Sequence, residues 1–191
     1  MSKVAALLSS ENQDLTHLAL MAITAMSAAS PDSDVMLQTI PLLFEASKDS
    51  SFGFYPLVCI SNLTVDPRNA AACLPYLSEL ISYIQDGDRI SKQRAIVSFR
   101  RIITTPEAAN VVTTFEIIQA FLQATGSLWN GEHAPLLFDV IVSLTTYPET
   151  CPILKSLGML DIVKERLASC HLNDPIRPKY IRIKARLLAA K

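Results

Sequence analysis

The chain of 191 residues has 5 glycines, a single tryptophan and four cysteines with no CxxC pair. So few glycines argue against glycine-rich sandwiches and barrels, and against a fold organised round a phosphate loop. No apolar run reaches the ~18–20 residues that a membrane span requires. The longest candidate, Leu18 to Ala29, is interrupted by Thr24 and Ser27, and it follows Glu11 and Asp14 where a signal peptide would carry positive charge. It reads as a buried helix. Cys59, Cys73, Cys151 and Cys170 lie far apart and read as buried thiols rather than a disulfide frame, which suggests a reducing, cytoplasmic setting. His17, His133 and His171 show neither HxxxH nor Cys–His spacing, so neither a metal site nor a cofactor is expected. GxSxG, HExxH and phosphate-loop signatures are missing as well.

Half the residues are hydrophobic, enough for a sizeable core. The chain also repeats itself. Pro31, Pro67, Pro106 and Pro148, spaced by 36, 39 and 42 residues, each follow an apolar stretch of helical period. Those stretches end in the anchors Met26, Leu63, Ile102 and Leu144, all expected to be buried. A fifth, Tyr180 to Leu187, closes the chain. Twelve or thirteen residues after each proline a second apolar helix is in phase, with Leu43, Leu80, Ile118 and Leu160 at equivalent positions. Proline lacks the N–H and biases the preceding residue away from helix, so each long helix is expected to end just before it. Asp32, Asn69, Glu107 and Glu149 then suit the first turn of the next helix. One such unit cannot bury two apolar faces alone, whereas stacked neighbours can. Residues 1–191 are therefore expected to form a single all-α repeat domain.

The pattern resembles the armadillo repeat, a three-helix unit of roughly 40 residues, and less closely the HEAT repeat. Ile60-Ser-Asn-Leu-Thr-Val-Asp-Pro-Arg-Asn69 is similar to the family's long third helix followed by a proline-and-asparagine turn. Thr104-Thr-Pro-Glu-Ala-Ala-Asn110 repeats that turn, and Leu157-Gly-Met-Leu160 matches the glycine between first and second helices. The resemblance implies a right-handed superhelix of about four repeats over roughly residues 15–190, acting as a non-catalytic scaffold or adaptor. Importin-α-like members hold basic peptides with tryptophan and asparagine ladders on the third helices. Here only Asn62 matches the asparagine, its equivalents being Ala25, Arg101, Ser143 and Arg186. The tryptophan position holds Met21, Val58, Val97, Asp139 and Arg182, while Trp129 falls in an expected loop between Gly126 and His133. That pattern argues against a receptor for basic localisation signals.

The 17 basic and 18 acidic residues nearly cancel, but they are unevenly distributed. Through Gly87 there are 3 basic against 9 acidic residues, a net of −6; the remainder holds 14 against 9, a net of +5. After Asp174 come six basic residues and no acidic one. In the repeat register Arg101, Arg182 and Arg186 point to the concave groove, with Arg94 one turn before. Three uses compete: solvation and dipole complementation at helix ends, capture of an acidic peptide by arginine–carboxylate forks, and nucleic-acid binding. The acidic first half and the lack of interleaved aromatics argue against nucleic acid. Asp139, between Phe138 and Val140, is the one carboxylate inside an apolar helix. The alternative reading is a nucleic-acid-binding HEAT-like protein using the basic C-terminal half. A helical-repeat DNA glycosylase of that kind would use such an acid; a structural ion pair is the commoner role. The expected partner-binding set is Asn62, Arg94, Arg101, Asp139, Arg182 and Arg186, taking a protein or peptide segment, an acidic one by this charge argument.

Overall fold

Asparagine and aspartate side chains open three of the helices. In a computed structural model, which describes residues 3–31 and 34–190, Asn12 Oδ1 accepts from the backbone N–H groups of Asp14 and Leu15 at 3.0 and 3.3 Å. Asp66 and Asp88 do the same for the helices starting at Pro67 and Arg89. These side chains satisfy N–H groups that a helix start otherwise leaves unpaired. The Ser91 N–H foremost, with the Ser91 hydroxyl and the Ile90 N–H, holds the Asp88 carboxyl below its ordinary range.

The helices are α1 (Lys3–Ala6), α2 (Gln13–Ala29), α3 (Asp34–Ser47), α4 (Tyr55–Leu63), α5 (Pro67–Ala72), α6 (Leu77–Asp86) and α7 (Arg89–Ile102). They continue with α8 (Ala109–Val112), α9 (Phe115–Ala124), α10 (Ala134–Leu144), α11 (Thr150–Ser156), α12 (Met159–Ser169) and α13 (Arg177–Ala189). No strand occurs among the described residues. The chain is all-α, as its periodicity requires. The four long helices that precede the repeated prolines end at Ala29, Leu63, Ile102 and Leu144, a few residues before each ring. Gly158, at φ +85°, sits in the left-handed region between α11 and α12, where a β-carbon would be strained. Asp32 lies outside the described residues.

The chain separates into two compact units, Met1–Thr105 and Pro106–Lys191. In the first, α2 packs on α4 and α4 on α7, while α3 packs on α4 and α6 on α7. In the second, α13 packs on α10, α11 and α12. Leu63, Ile102 and Leu144 are all buried, as are Leu43, Leu80 and Ile118. Aromatic contacts knit the same layers: Phe44 stacks on Tyr76 at 4.2 Å, and Phe138 meets Tyr180 edge-on at 4.5 Å.

Three expectations need correction. Met26 is 40% exposed, and Ile23 and Ser27 face inward instead. The reason is that α2 is apolar nearly all round, so its sequence carries no phase to say which side is covered. Leu160 is half-buried, and Met159 and Val163 fill the core beside it. Trp129 is buried within a one-turn 3-10 helix, Leu128–Asn130, with its ring 5.1 Å from that of Phe138.

Candidate functional site

Asn62 and Arg101 occupy the same register position on successive long helices, and each reaches back to the helix before it. Asn62 Nδ2 on α4 donates to Ser27 Oγ on α2 at 3.2 Å. Arg101 Nη1 on α7 donates to the carbonyl of Ser61 on α4. In the second unit Arg186 Nη1 on α13 donates to the Val142 carbonyl at 3.0 Å and to Thr145 Oγ1 at 3.1 Å, at the end of α10. One position therefore does one job three times. It ties a helix to the C-terminal turns of its predecessor.

Other polar contacts follow the same interval. Thr24 Oγ1 and Cys59 Sγ lie 3.0 Å apart, 35 residues distant in sequence. Asn69 Nδ2 donates to the Pro31 carbonyl across 38 residues. Tyr83 donates its hydroxyl proton to Ser47 at the end of α3, across 36 residues. Lys179 Nζ meets Asp139 Oδ1 at 2.5 Å across 40 residues. These partners lie 35 to 40 residues apart in sequence.

The expected binding residues thus divide. Asn62, Arg101 and Arg186 serve as ties between helices. Asp139 is paired with Lys179, the structural use foreseen for a carboxylate beside cations. Lys179, Arg182 and Arg186 share a helical face by spacing, but of the three only Arg182 is exposed. Arg94 is half-buried on α7, and its Nε is buried without a hydrogen-bond partner among the described residues. Burial, with the neighbouring charges of Arg100 and Arg94, lowers the affinity of the Arg101 guanidinium for its proton. Arg94, Arg100 and Arg101 accordingly make one positive cluster on α7. Asn62 is adjacent to the Ser61 carbonyl that Arg101 holds, so Asn62, Arg94 and Arg101 belong to one area of the first unit. Asp139, Arg182 and Arg186 belong to the second unit.

Sequence reasoning missed the partners rather than the donors. Ser27, Ser61 and Thr145 are ordinary small residues near helix ends, and the tie to Ser61 uses its backbone. A side-chain pattern carries no signal for a carbonyl acceptor. Lys179 was visible as part of the basic run, but its pairing with Asp139 was not. Among the described residues no group of three His, Cys, Asp or Glu is placed to hold a metal ion, and no helix is long and apolar enough to cross a membrane. No family model matches the chain, and no curated protein matches its sequence.

Proposed function

We propose that the chain is a non-catalytic protein-interaction scaffold built of armadillo-like repeats in a right-handed superhelix. The observation that supports it best is the recurrence, at 34 to 44 residues, of polar ties between successive helices, with Asn62, Arg101 and Arg186 in one register. Such ties hold the helices rigidly, and rigid display of a helix face lets a partner segment bind without an ordering cost on the scaffold side.

Within that reading α7 is the best-supplied surface. Arg94 Nε has no hydrogen-bond partner among the described residues, and Arg101 lies two turns further along the helix. A carboxylate from an acidic segment of a partner protein would pair with the outer guanidinium nitrogens of Arg94 in a charge-assisted contact. Nucleic acid is the less favoured ligand. Of the basic residues after Asp174, Arg177 donates to the carbonyls of Leu167 and Cys170, Lys179 pairs with Asp139, and Arg186 ties α13 to α10. That leaves few cations on α13 free to track phosphates.

Fluorescence anisotropy with a labelled Glu/Asp-rich peptide tests the reading, with a single-stranded oligonucleotide in parallel. Arg94→Glu is expected to weaken peptide binding by roughly tenfold or more, since truncating a fork to carboxylate costs more than ~1.4 kcal/mol. Oligonucleotide binding that is tighter than peptide binding at physiological salt, and lost steeply as salt rises, would sink it.

A further inference from the structure

Two helices, one in each unit, leave an apolar face uncovered. On α2 the residues Leu15, Leu18, Ala22, Ala25, Met26 and Ala29 are all exposed, Leu18 to 61%. Leu18, Ala22, Ala25 and Ala29 follow i, i+4, i+7 and i+11, so they line one face. The opposite face, carrying Leu20, Ile23 and Ser27, is buried, and α4 packs on this helix. No Asp, Glu, Lys or Arg lies between Asp14 and Ala29. On α13, Pro178, Ile181, Ala185 and Leu188 follow i, i+3, i+7 and i+10 and are likewise exposed, Ile181 to 51% and Leu188 to 55%. Tyr180, Ile183 and Leu187 on its other side are buried. Contiguous apolar faces of this kind, rimmed by charge, are the mark of a contact surface.

The rims have opposite sign. Glu11 and Asp14 stand exposed at the start of α2, and between Lys3 and Lys48 there is no lysine or arginine at all. Arg182 flanks the α13 strip on one side, Arg177 and Lys184 on the other. Pairing two α2 faces would bring acids against acids, and pairing two α13 faces would bring cations against cations. Pairing α2 with α13 joins opposite charges over apolar centres. The packing would also repeat a contact already present inside each unit, where α4 covers one side of α2 and α13 covers α10.

We propose that copies of this chain associate head to tail, the α13 face of one covering the α2 face of the next. The contact is heterologous and uses a different patch on each copy, so it extends into chains unless the rotation closes a ring. It does not depend on what α7 binds, so a failed peptide titration leaves it standing, and its own failure leaves the scaffold reading standing.

Sedimentation velocity of the intact chain over a wide concentration range provides the test. The wild type is expected to show a mass that climbs above 21.0 kDa with concentration and falls back as salt rises. Leu18→Arg places a cation opposite the basic rim of α13, and Ile181→Glu places an acid opposite the acidic end of α2. Each variant alone is expected to stay monomeric at concentrations roughly tenfold above those where the wild type associates, because each buries an unpaired charge in the contact. An equimolar mixture is expected to form a one-to-one complex and stop there, since each variant retains the face the other has lost. That restoration also shows that both variants are folded. A wild type that remains monomeric at every concentration overturns the proposal. So does a single variant that still self-associates, or a mixture that does not pair.

Discussion

The α2–α4 pair in the first unit and the α10–α13 pair in the second solve one problem with different chemistry. Between α2 and α4 the ties are short and neutral: Asn62 to Ser27, and Thr24 beside Cys59. Between α10 and α13 they are long and cationic: Arg186 to Val142 and Thr145, and Lys179 to Asp139. Small side chains on facing helices make contact only where the backbones approach closely. Long basic arms span a wider gap and bury their stems on the way. Part of the positive surplus after Gly87 is therefore structural. Charge counted along this sequence overstates the charge available to a ligand.

The strongest way to break this comparison is to empty the core beneath each pair. Phe138, fully buried between Trp129 and Tyr180, is expected to cost ~3–5 kcal/mol as Phe138→Ala, and Leu63→Ala at the end of α4 ~2–5 kcal/mol. Urea unfolding followed by hydrogen exchange should locate the lost protection in α10 and α13 for the first and in α2, α4 and α7 for the second. A near-neutral Leu63→Ala would mean that the α2–α4 contact is held by polar ties alone.

Alkaline pH sharpens the contrast next. Burial pushes the Cys59 thiol up to about 11 and the Cys73 thiol up to about 12, both in the first unit. Between the ordinary thiol value near 9 and those values, the unfolded chain has released protons that the folded chain retains. Stability is then complete below about pH 9 and declines as pH rises through the folded values. Chemical denaturation from pH 8 to 10.5 should show this loss, and Cys73→Ala should lessen its slope. An unchanged midpoint across that range would contradict a buried Cys73.

Smaller effects probe the ties themselves. Arg101→Met keeps the aliphatic stem but removes the donor to the Ser61 carbonyl, and is expected to cost ~1–2 kcal/mol; Asn62→Ala should cost ~1 kcal/mol. Equal costs would mean that reach and charge make no difference. Asp139→Asn breaks a partly exposed pair with Lys179 and is expected to cost less than ~1 kcal/mol, an effect that high salt erases. Base excision by the wild type that disappears in this variant would instead make Asp139 a catalytic acid.

The all-helical fold was legible because its signals are local. Prolines at a regular interval, apolar stretches of helical period before them, and the buried anchors Leu63, Ile102 and Leu144 all follow from neighbours in the chain. Met26 was misjudged where the local signal vanished, because a helix apolar on every side has no preferred inward face. Asn62, Arg101 and Arg186 were aligned with one another from the sequence, yet alignment did not reveal the ties they make to the preceding helices.

Helix content and the ends of the helices before the spaced prolines were determined by the sequence itself, since each depends on side chains within a few turns of one another. Which cations are spent and which remain was decided by tertiary structure alone. Arg186 and Arg182 sit one turn apart with the same charge, but only Arg186 finds a carbonyl and a hydroxyl 41 to 44 residues back within hydrogen-bond reach. That distance is set by how closely α13 settles on α10, through the packing of Phe138, Tyr180 and Ile183. A hydrogen bond weakens steeply over a fraction of an ångström, so the close fit of the core determines which polar groups are occupied.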